Sequence, residues 1–479
     1  MTPTALQIPP EKSEDALACL ECMQLGLARD VSMEHSGNRW SISSAAGRIA
    51  FALPQGTVAQ ILEQIAEGGI QLSQLAPLLK CMDGSLLVEE QINRLWRGGL
   101  LAQSIRHAGR TIAALRSRGG IQLIPPGIDP KTQLTASKDA CIRYGEGALI
   151  VESAACGDYV EVPYSGLEWL PLPVSDAMNC TEWGQAAGMP VAVMSALASW
   201  LIEIRVLTTS IDSDPSVDQS QGWSFADRMM HARSRRGRHI GGYGGTYRFV
   251  GKLQELPAVK EMPSAIEYPL PHPRLEEIIR RDPPFTEVME IRHSTRHHSR
   301  EPLTLEQLSE FLYRSCRITK RTVVENREFA SRVYPSGGRS HELEIYPLIN
   351  RCSGIESGLY HYNGSTHSLE LVSGCGPLTE ELIGDARQCA TMSSEPHIVL
   401  LISARFMRVS WKYESLSYSL TLKHVGVLFQ SMYLVATAMG LAACALGGGP
   451  SDSLSRLIHT DFWQESTVGE FLLGQPELP

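Results

Sequence analysis

The sequence predicts an α+β protein of more than one domain, on three observations. Its 479 residues exceed what one core fills, because single cores stop growing near ~250–300 residues. Runs of period-two alternation and runs of helically spaced apolar residues both recur along the chain. The last third mixes the two kinds within one stretch.

Residues 1–108 make the first expected module. Alternation over 39–53 reads as strands, and three short helical patterns follow at 58–66, 72–79 and 86–96. Gly98 and Gly99 stop the last helix, and Leu100 with Leu101 opens a short strand. Residues 109–212 repeat that order. There IRYGEGALIVES and DYVEV read as strands and 191–202 as a helix, with an apolar ending at 204–207. Strands, helices and a closing strand describe a winged-helix-like module, so two are expected in tandem. The repeat lies in element order, since residue identity between the halves is negligible.

Winged helices often bind DNA, which depends on Lys and Arg neutralising phosphates. Residues 1–110 hold 9 Lys and Arg against 11 Asp and Glu, and the whole chain carries a net charge of −9. That balance argues against nucleic acid and anionic membrane and leaves peptide docking as the expected role.

Residues 213–274 read as a linker. SIDSDPSVDQSQG is polar, RMMHARSRRGRH basic, GGYGGTY Gly-rich and YPLPHPR Pro-rich. The basic run is either a solvated surface or a positive rim for an anionic ligand. Residues 275–479 form the α+β domain, with helices expected at 275–281, 305–315 and 420–439 and strands at 342–348 and 397–403. The apolar stretch 425–446 is long enough for a membrane span. Its Gln430, Thr437 and Gly440, and the GGGPSD loop that follows, instead indicate a buried helix, packed on several sides. The N-terminal MTPTALQIPPEKSEDA lacks a basic and an apolar region, so no secretory signal is expected. Eleven scattered Cys fit reduced thiols in a cytoplasmic protein. The single C-x-x-C, Cys19 to Cys22, has no second pair downstream and reads as ordinary buried thiols.

Three features of the last domain carry chemistry. In Arg292-His293-Ser294-Thr295-Arg296 the arginines are four apart, so at a helix start both reach one side, with Ser294 between them. Two planar guanidinium forks and a hydroxyl suit a terminal phosphate. Tyr334-Pro335-Ser336-Gly337-Gly338 precedes the strand HELEIYPL, and Gly447-Gly448-Gly449-Pro450 follows a short AACAL segment. Small residues in both loops let backbone approach a flat ring. Each loop alone could be a mere tight turn. His293, His297 and His298 cluster without a carboxylate or Cys at ligand spacing, so no metal site is expected.

The order RHSTR, YPSGG, WKYESLSYSLTLKHVG, FQSMYLVATAMGL and GGGPSD resembles the SagB-type dehydrogenases, a branch of the nitroreductase-like flavoproteins. Those enzymes oxidise thiazoline and oxazoline rings to thiazoles and oxazoles in ribosomally made peptides. The resemblance covers about residues 222–479. With two preceding modules, the chain looks closest to the cyanobactin azoline oxidases, whose modules resemble peptide-recognition elements.

The resemblance implies FMN as cofactor, an azoline-containing peptide as substrate, reoxidation of the flavin by dioxygen, and a homodimer with each flavin near the interface. By the same resemblance Arg292, Ser294 and Arg296 would hold the phosphate and ribityl chain. Pro335, Ser336, Gly337 and Gly338 would line the ring, reaching toward a flavin of the partner subunit, and Leu446, Gly447 and Gly448 would approach it through backbone atoms. Lys412 and Tyr413 match a Lys-Tyr pair essential in related azole-forming enzymes. Where relatives often carry an aromatic after the turn, this chain has His341.

Forming an azole removes a proton from the ring carbon and a hydride to the flavin. An unperturbed phenol or alkylamine is protonated at neutral pH, so such a pair serves as a base only through burial or a neighbouring cation. The alternatives are a nicotinamide-dependent nitro- or quinone reductase on the same fold, and a peptide-binding scaffold with an inactive flavin domain.

Overall fold

The computed structural model describes residues 14–44, 47–52, 56–80, 85–117, 121–165, 177–209, 222–238, 241–262, 266–325 and 327–477. The chain forms two compact units, Met1–Gly241 and Gly242–Pro479.

In the first unit the amphipathic patterns fold as read, giving helices Thr57–Glu67, Leu72–Lys80 and Ser85–Arg97. The first of these buries Ala59, Ile61, Leu62 and Ile65, the spacing of one helical face. One seven-stranded antiparallel sheet runs in the order Ile70–Gln71, Met23–Leu27, Leu101–His107, Arg110–Arg116, Tyr159–Pro163, Ala148–Ser153, Ala140–Tyr144. The hairpin of Leu101–His107 with Arg110–Arg116, and the pairing of the latter with Tyr159–Pro163, carry the sheet across residue 108. Strands of both expected modules therefore share this sheet, while Arg39–Ser44 and Gly47–Ala52 pair in a separate three-stranded sheet with Ser32–Ser36. The two modules also share one core, which holds Trp40, Trp96, Trp183 and Trp200. The Val191–Glu203 helix is apolar on nearly every side and buries 193–201 throughout. Its Trp200 indole donates to the buried Gln103 amide oxygen at 3.2 Å. Cys19 and Cys22 sit at this core, and burial pushes the Cys19 thiol up to about 12.

The second unit holds a seven-stranded antiparallel sheet: Glu267–Pro269, Ser368–Gly374, Gly358–Asn363, Leu343–Ile349, Ile398–Arg405, Glu465–Gly474, Ala442–Ala445. Leu343–Ile349 and Ile398–Arg405 are buried at every position. Period two then divides them between two faces. Leu343, Ile345 and Ile349 join one cluster, with Phe311 of helix Leu305–Cys316 and Leu428 of helix Ser417–Ala438. Tyr346 and Leu348 join the other, with Leu382 and Leu454 of helices Pro377–Cys389 and Ser451–Leu457.

Two expectations need correction. The expected linker, 213–274, is only in part a connector, because the chain beyond Gly242 is built into this unit. The Trp411 indole donates to the Leu253 carbonyl at 2.8 Å, Arg405 to that of Pro257 at 2.6 Å, and Lys260 pairs with Glu465 at 2.6 Å. The long helix, expected to be covered on several sides, buries a single stripe of Thr421, His424, Val425, Leu428, Met432 and Ala436. Tyr418 and Leu422 of this apolar helix are exposed. It ends at Ala438, and Gly440 at φ 67° turns the chain into Ala442–Ala445. Among the described residues no single helix is long and apolar enough to cross a membrane.

Candidate active site

Two clusters of the expected site residues lie along the long helix, one at His424 and the other at Tyr433. The first is built on the PSGG turn. After the strand Arg327–Arg332 the chain passes through Tyr334, Pro335 and Ser336 into a 3-10 turn, Gly337–Arg339. Gly338 has φ 60°, and Arg339 and His341 also have positive φ, so the turn is held in a conformation that side chains disfavour.

Several groups hold the turn in place. The Gly337 N–H donates to His424 Nε2 at 2.7 Å. Because that nitrogen accepts, the ring hydrogen sits on Nδ1, which donates to Glu342 Oε1 at 2.6 Å. Ser336 Oγ accepts from the His341 N–H at 3.0 Å. The buried Arg408 donates to the Ser340 carbonyl at 3.0 Å and to the Leu256 carbonyl at 2.6 Å.

Lys412 and Tyr413 meet this turn. Lys412 Nζ donates to the Gly338 carbonyl at 3.4 Å. A Cβ added at Gly338 would lie 2.5 Å from both Lys412 Nζ and the Tyr413 hydroxyl. The pair thus stands directly over the one residue of the turn that lacks a side chain and has φ 60°. Pro335 and Gly338 are exposed, and Ser336, Gly337, Lys412 and Tyr413 are half-buried, so the pair opens on a surface.

His341 does not face that surface. It is buried, edge-on to the Tyr334 ring at 5.7 Å. Burial first, then the Arg332 charge, lowers it to about 3. A buried, neutral imidazole is structural here. Behind it, burial alone would raise Glu344, but Arg405, His361 and Arg332 hold it down at about 2.

The second cluster gathers around Tyr433. Arg292 follows the end of helix Phe285–Ile291, and residues 292–297 are not helical. The expectation of a helix start is therefore wrong, although 292, 294 and 296 recur at the period of two that places alternate residues of an extended chain on one side. The Tyr433 hydroxyl accepts from the Ala445 N–H at 2.8 Å and bonds Ser294 Oγ at 2.9 Å. The Arg292 guanidinium lies over the Tyr433 ring at 5.2 Å. Thr295 N–H donates to the Ala443 carbonyl at 2.9 Å, so the segment lies along the strand that leads to Leu446. Leu446 N–H is held by the Glu470 carbonyl at 2.9 Å. Gly447 and Gly448 are exposed, and a Cβ on either would meet nothing within 4 Å. Among the described residues neither Arg292 nor Arg296 is paired with a carboxylate.

The Arg292 guanidinium, stacked on a ring and unpaired with a carboxylate among the described residues, a hydroxyl and a bare backbone edge fit an anionic, ring-bearing cofactor. His424 and Tyr433 are nine residues apart on one helix, roughly 13 Å along its axis. The structure thus joins Arg292, Ser294 and Leu446 in one cluster, and Ser336, Gly337, Gly338, Lys412 and Tyr413 in another.

Sequence reasoning missed His424, Glu342, Arg408 and Tyr433. Their signal was present in part: His424 and Tyr433 are polar residues within an apolar helical run, and a buried polar group is the informative kind. His298 is buried, its Nδ1 accepting the His397 N–H at 3.0 Å, so the histidine run divides between core and surface. Among the described residues no three His, Cys, Asp or Glu are grouped to hold a metal.

Residues 289–474 match the nitroreductase family, whose proteins bind FMN. A protein of Methanocaldococcus jannaschii named as a nitroreductase is 30% identical over 179 residues, 36% of this chain and 81% of that relative. The trifolitoxin-processing protein TfxB of Rhizobium leguminosarum bv. trifolii is 26% identical over 153 residues, 31% of this chain. The match spans 41% of TfxB, under half its length. Among solved structures, the E. coli microcin synthetase McbBCD complex with truncated pro-MccB17 bound gives a TM-score of 0.34 at 18% identity. It covers 50% of this chain and 85% of that one.

Proposed function

The chain belongs to the nitroreductase family, and from that premise we propose that it is an FMN-dependent oxidase of azoline rings in modified peptides. The observation that carries the reading is the Lys412–Tyr413 pair standing over Gly338. Reducing a nitro or quinone group requires no base aimed at a carbon-bound hydrogen. Dehydrogenating an azoline does. A relative whose name assigns it a processing role points the same way.

When bound, FMN supplies the acceptor for the hydride and passes its electrons to dioxygen. Arg292, Ser294 and Arg296 hold the phosphate. The Tyr433 hydroxyl, which accepts from the Ala445 N–H and bonds Ser294 Oγ, fixes the Ser294 hydroxyl beside Arg292, where it meets a ligand oxygen. Pro335, Ser336, Gly337 and Gly338, with Leu446, Gly447 and Gly448, border the ring. Lys412 and Tyr413 take the proton from the azoline carbon, one as acceptor and one as its electrostatic support.

The N-terminal unit, with its winged-helix-like element order, docks the peptide. The long helix joins two subunits. Tyr418 and Leu422 on it, with Phe285 and Met289 on the helix before Arg292, leave apolar surface exposed in a single chain.

Bound flavin should be reduced by a synthetic thiazoline peptide under anaerobic conditions and should return to its oxidised spectrum on admitting air. Reduction by a nicotinamide cofactor but not by the peptide identifies a reductase, and reduction by neither leaves a scaffold. In the oxidase, Tyr413→Phe keeps flavin and slows peptide oxidation by ~10²–10⁴-fold, the range of acid–base catalysis.

A further inference from the structure

Lys412 has a second aromatic neighbour, and it comes from the Gly-rich run upstream. Residues 242–247 form a strap along residues 412–415. Gly244 and Glu414 exchange two backbone hydrogen bonds at 3.2 and 2.9 Å, and the Tyr247 N–H donates to the Lys412 carbonyl at 3.1 Å. Thr246 Oγ1 donates to Glu414 Oε2 at 2.9 Å, and Ser415 Oγ to the Gly242 carbonyl at 2.9 Å.

This pairing sets the Tyr247 ring 5.3 Å from Lys412 Nζ, the same distance as the Tyr413 ring. An ammonium is attracted to ring faces at this range. Gly245 lies where a Cβ would meet the Tyr247 ring at 3.6 Å and the Tyr413 ring at 3.9 Å, so a bare residue separates the two aromatics. Tyr247 is itself anchored. Arg327, paired with Glu255 at 2.7 Å, lies over its ring at 5.5 Å, and Trp411 meets it edge-on at 6.2 Å. Finally, Tyr247 has φ 52°, a backbone conformation costly for an aromatic residue. Such strain persists only where surrounding contacts impose it, and it gathers at functional sites.

We propose that Tyr247 is a positioning residue that holds the Lys412 ammonium between two rings against Gly338. The 242–247 strap then completes the proton-transfer corner of the site. The proposal rests on reading Lys412 and Tyr413 as the proton-transfer pair, but the clamp itself can be observed without turnover.

The experiment uses full-length, flavin-loaded protein with lysines carrying 13C at Cε. The Lys412 resonance is the one lost in Lys412→Arg. Its Cε protons should be shifted upfield by the two rings in the wild type and in Tyr247→Phe, and should move toward the position of a solvated lysine in Tyr247→Leu. On a thiazoline peptide, Tyr247→Leu should lower kcat about tenfold, with KM within about threefold and flavin content unchanged. Tyr247→Phe should restore it, and Tyr247→Leu should add no loss in a Lys412→Ala background.

An unshifted Lys412 resonance in the wild type overturns the clamp without any variant that has to fold. A loss from Tyr247→Leu that persists undiminished in Lys412→Ala does so too. If the resonance is shifted but the wild type oxidises no azoline, the clamp stands and the assigned reaction fails.

Discussion

Replacing Gly338 by alanine tests the joint of the candidate site, because two costs fall there and they differ in kind. The first is conformational. At φ 60° an L side chain costs roughly 1–2 kcal/mol relative to glycine. The second is steric. The new Cβ would lie 2.5 Å from Lys412 Nζ and from the Tyr413 hydroxyl, nearer than nonbonded atoms approach. Both are tips of side chains that are half-buried, so they can swing away at little cost to stability. The loss of stability should therefore stay near the conformational figure, which lowers the melting temperature by about 2–8 °C for a unit of this size. Activity should not survive so well. Moving both groups from their positions removes acid–base help worth ~10²–10⁴-fold. Flavin absorbance, thermal unfolding and single-turnover oxidation of a thiazoline peptide measure the three quantities separately. A Gly338→Ala protein that keeps its flavin and oxidises the peptide within about threefold of wild type, far short of the acid–base range, would falsify the placement of the base at this turn.

Arg292→Ala with Arg296→Ala should remove most bound flavin, since each charge-assisted hydrogen bond contributes roughly 1.5–3 kcal/mol. Full occupancy in the double variant rules out the phosphate assignment. The second unit should lose stability as pH falls from about 6.5 to about 3, the window between the ordinary histidine value and that of buried His341 and His298. Their folded values are depressed, so the unfolded chain takes up protons that the folded one refuses. Each costs up to about 1.4 kcal/mol per pH unit across the window. Urea unfolding at several pH values checks this, and His341→Asn should flatten the slope. An unchanged slope in that variant excludes His341 as a source.

In the second unit Arg292 and Ser294 were singled out by their spacing, and Lys412 with Tyr413 only by the family resemblance; the structure sets the first two beside Tyr433 and the second two over Gly338. The backbone under the clamp was misjudged, because spacings of two and four on 292, 294 and 296 satisfy an extended chain and a helix equally. The Pro284 cap and the helix Phe285–Ile291 it starts were not read, so the arginines were assigned to the wrong side of a boundary. Glycines misled at 242–245, where GGYGGTY has a linker's composition and yet lies along residues 412–415. What distinguishes a strap from a linker is the partner backbone, and pairing across about 170 residues leaves no local trace. In the first unit the helices Thr57–Glu67, Leu72–Lys80, Ser85–Arg97 and Val191–Glu203 were legible, while Glu14–Glu21, Cys180–Ala187 and Phe225–Arg233 were not read. The seven-stranded sheet that joins the two modules was not legible, because local patterns do not tell whether a hairpin continues one sheet or closes it.

The two clusters stand roughly 13 Å apart along one helix, and this separation can be turned into a test of how a site is assembled. If one chain supplies both the phosphate clamp and the Lys412 turn of a given site, the clamp variant and Lys412→Ala, mixed and reassembled, contain no intact site. If the clamp of one subunit serves with the turn of its partner, the mixture behaves otherwise. In a twofold dimer the mixed species then has one site with both parts defective and one with both intact. Random reassembly makes half the dimers mixed, so about a quarter of wild-type activity should return. The exposed Tyr418 and Leu422 lie near the start of that helix, the end nearer the Lys412 turn, so a partner covering them stands beside that turn and brings its own clamp toward it, which favours the shared arrangement. Recovery toward a quarter, with a dimeric mass by light scattering, is the expected result. No recovery from dimers shown by mass to be mixed assigns each site to a single chain.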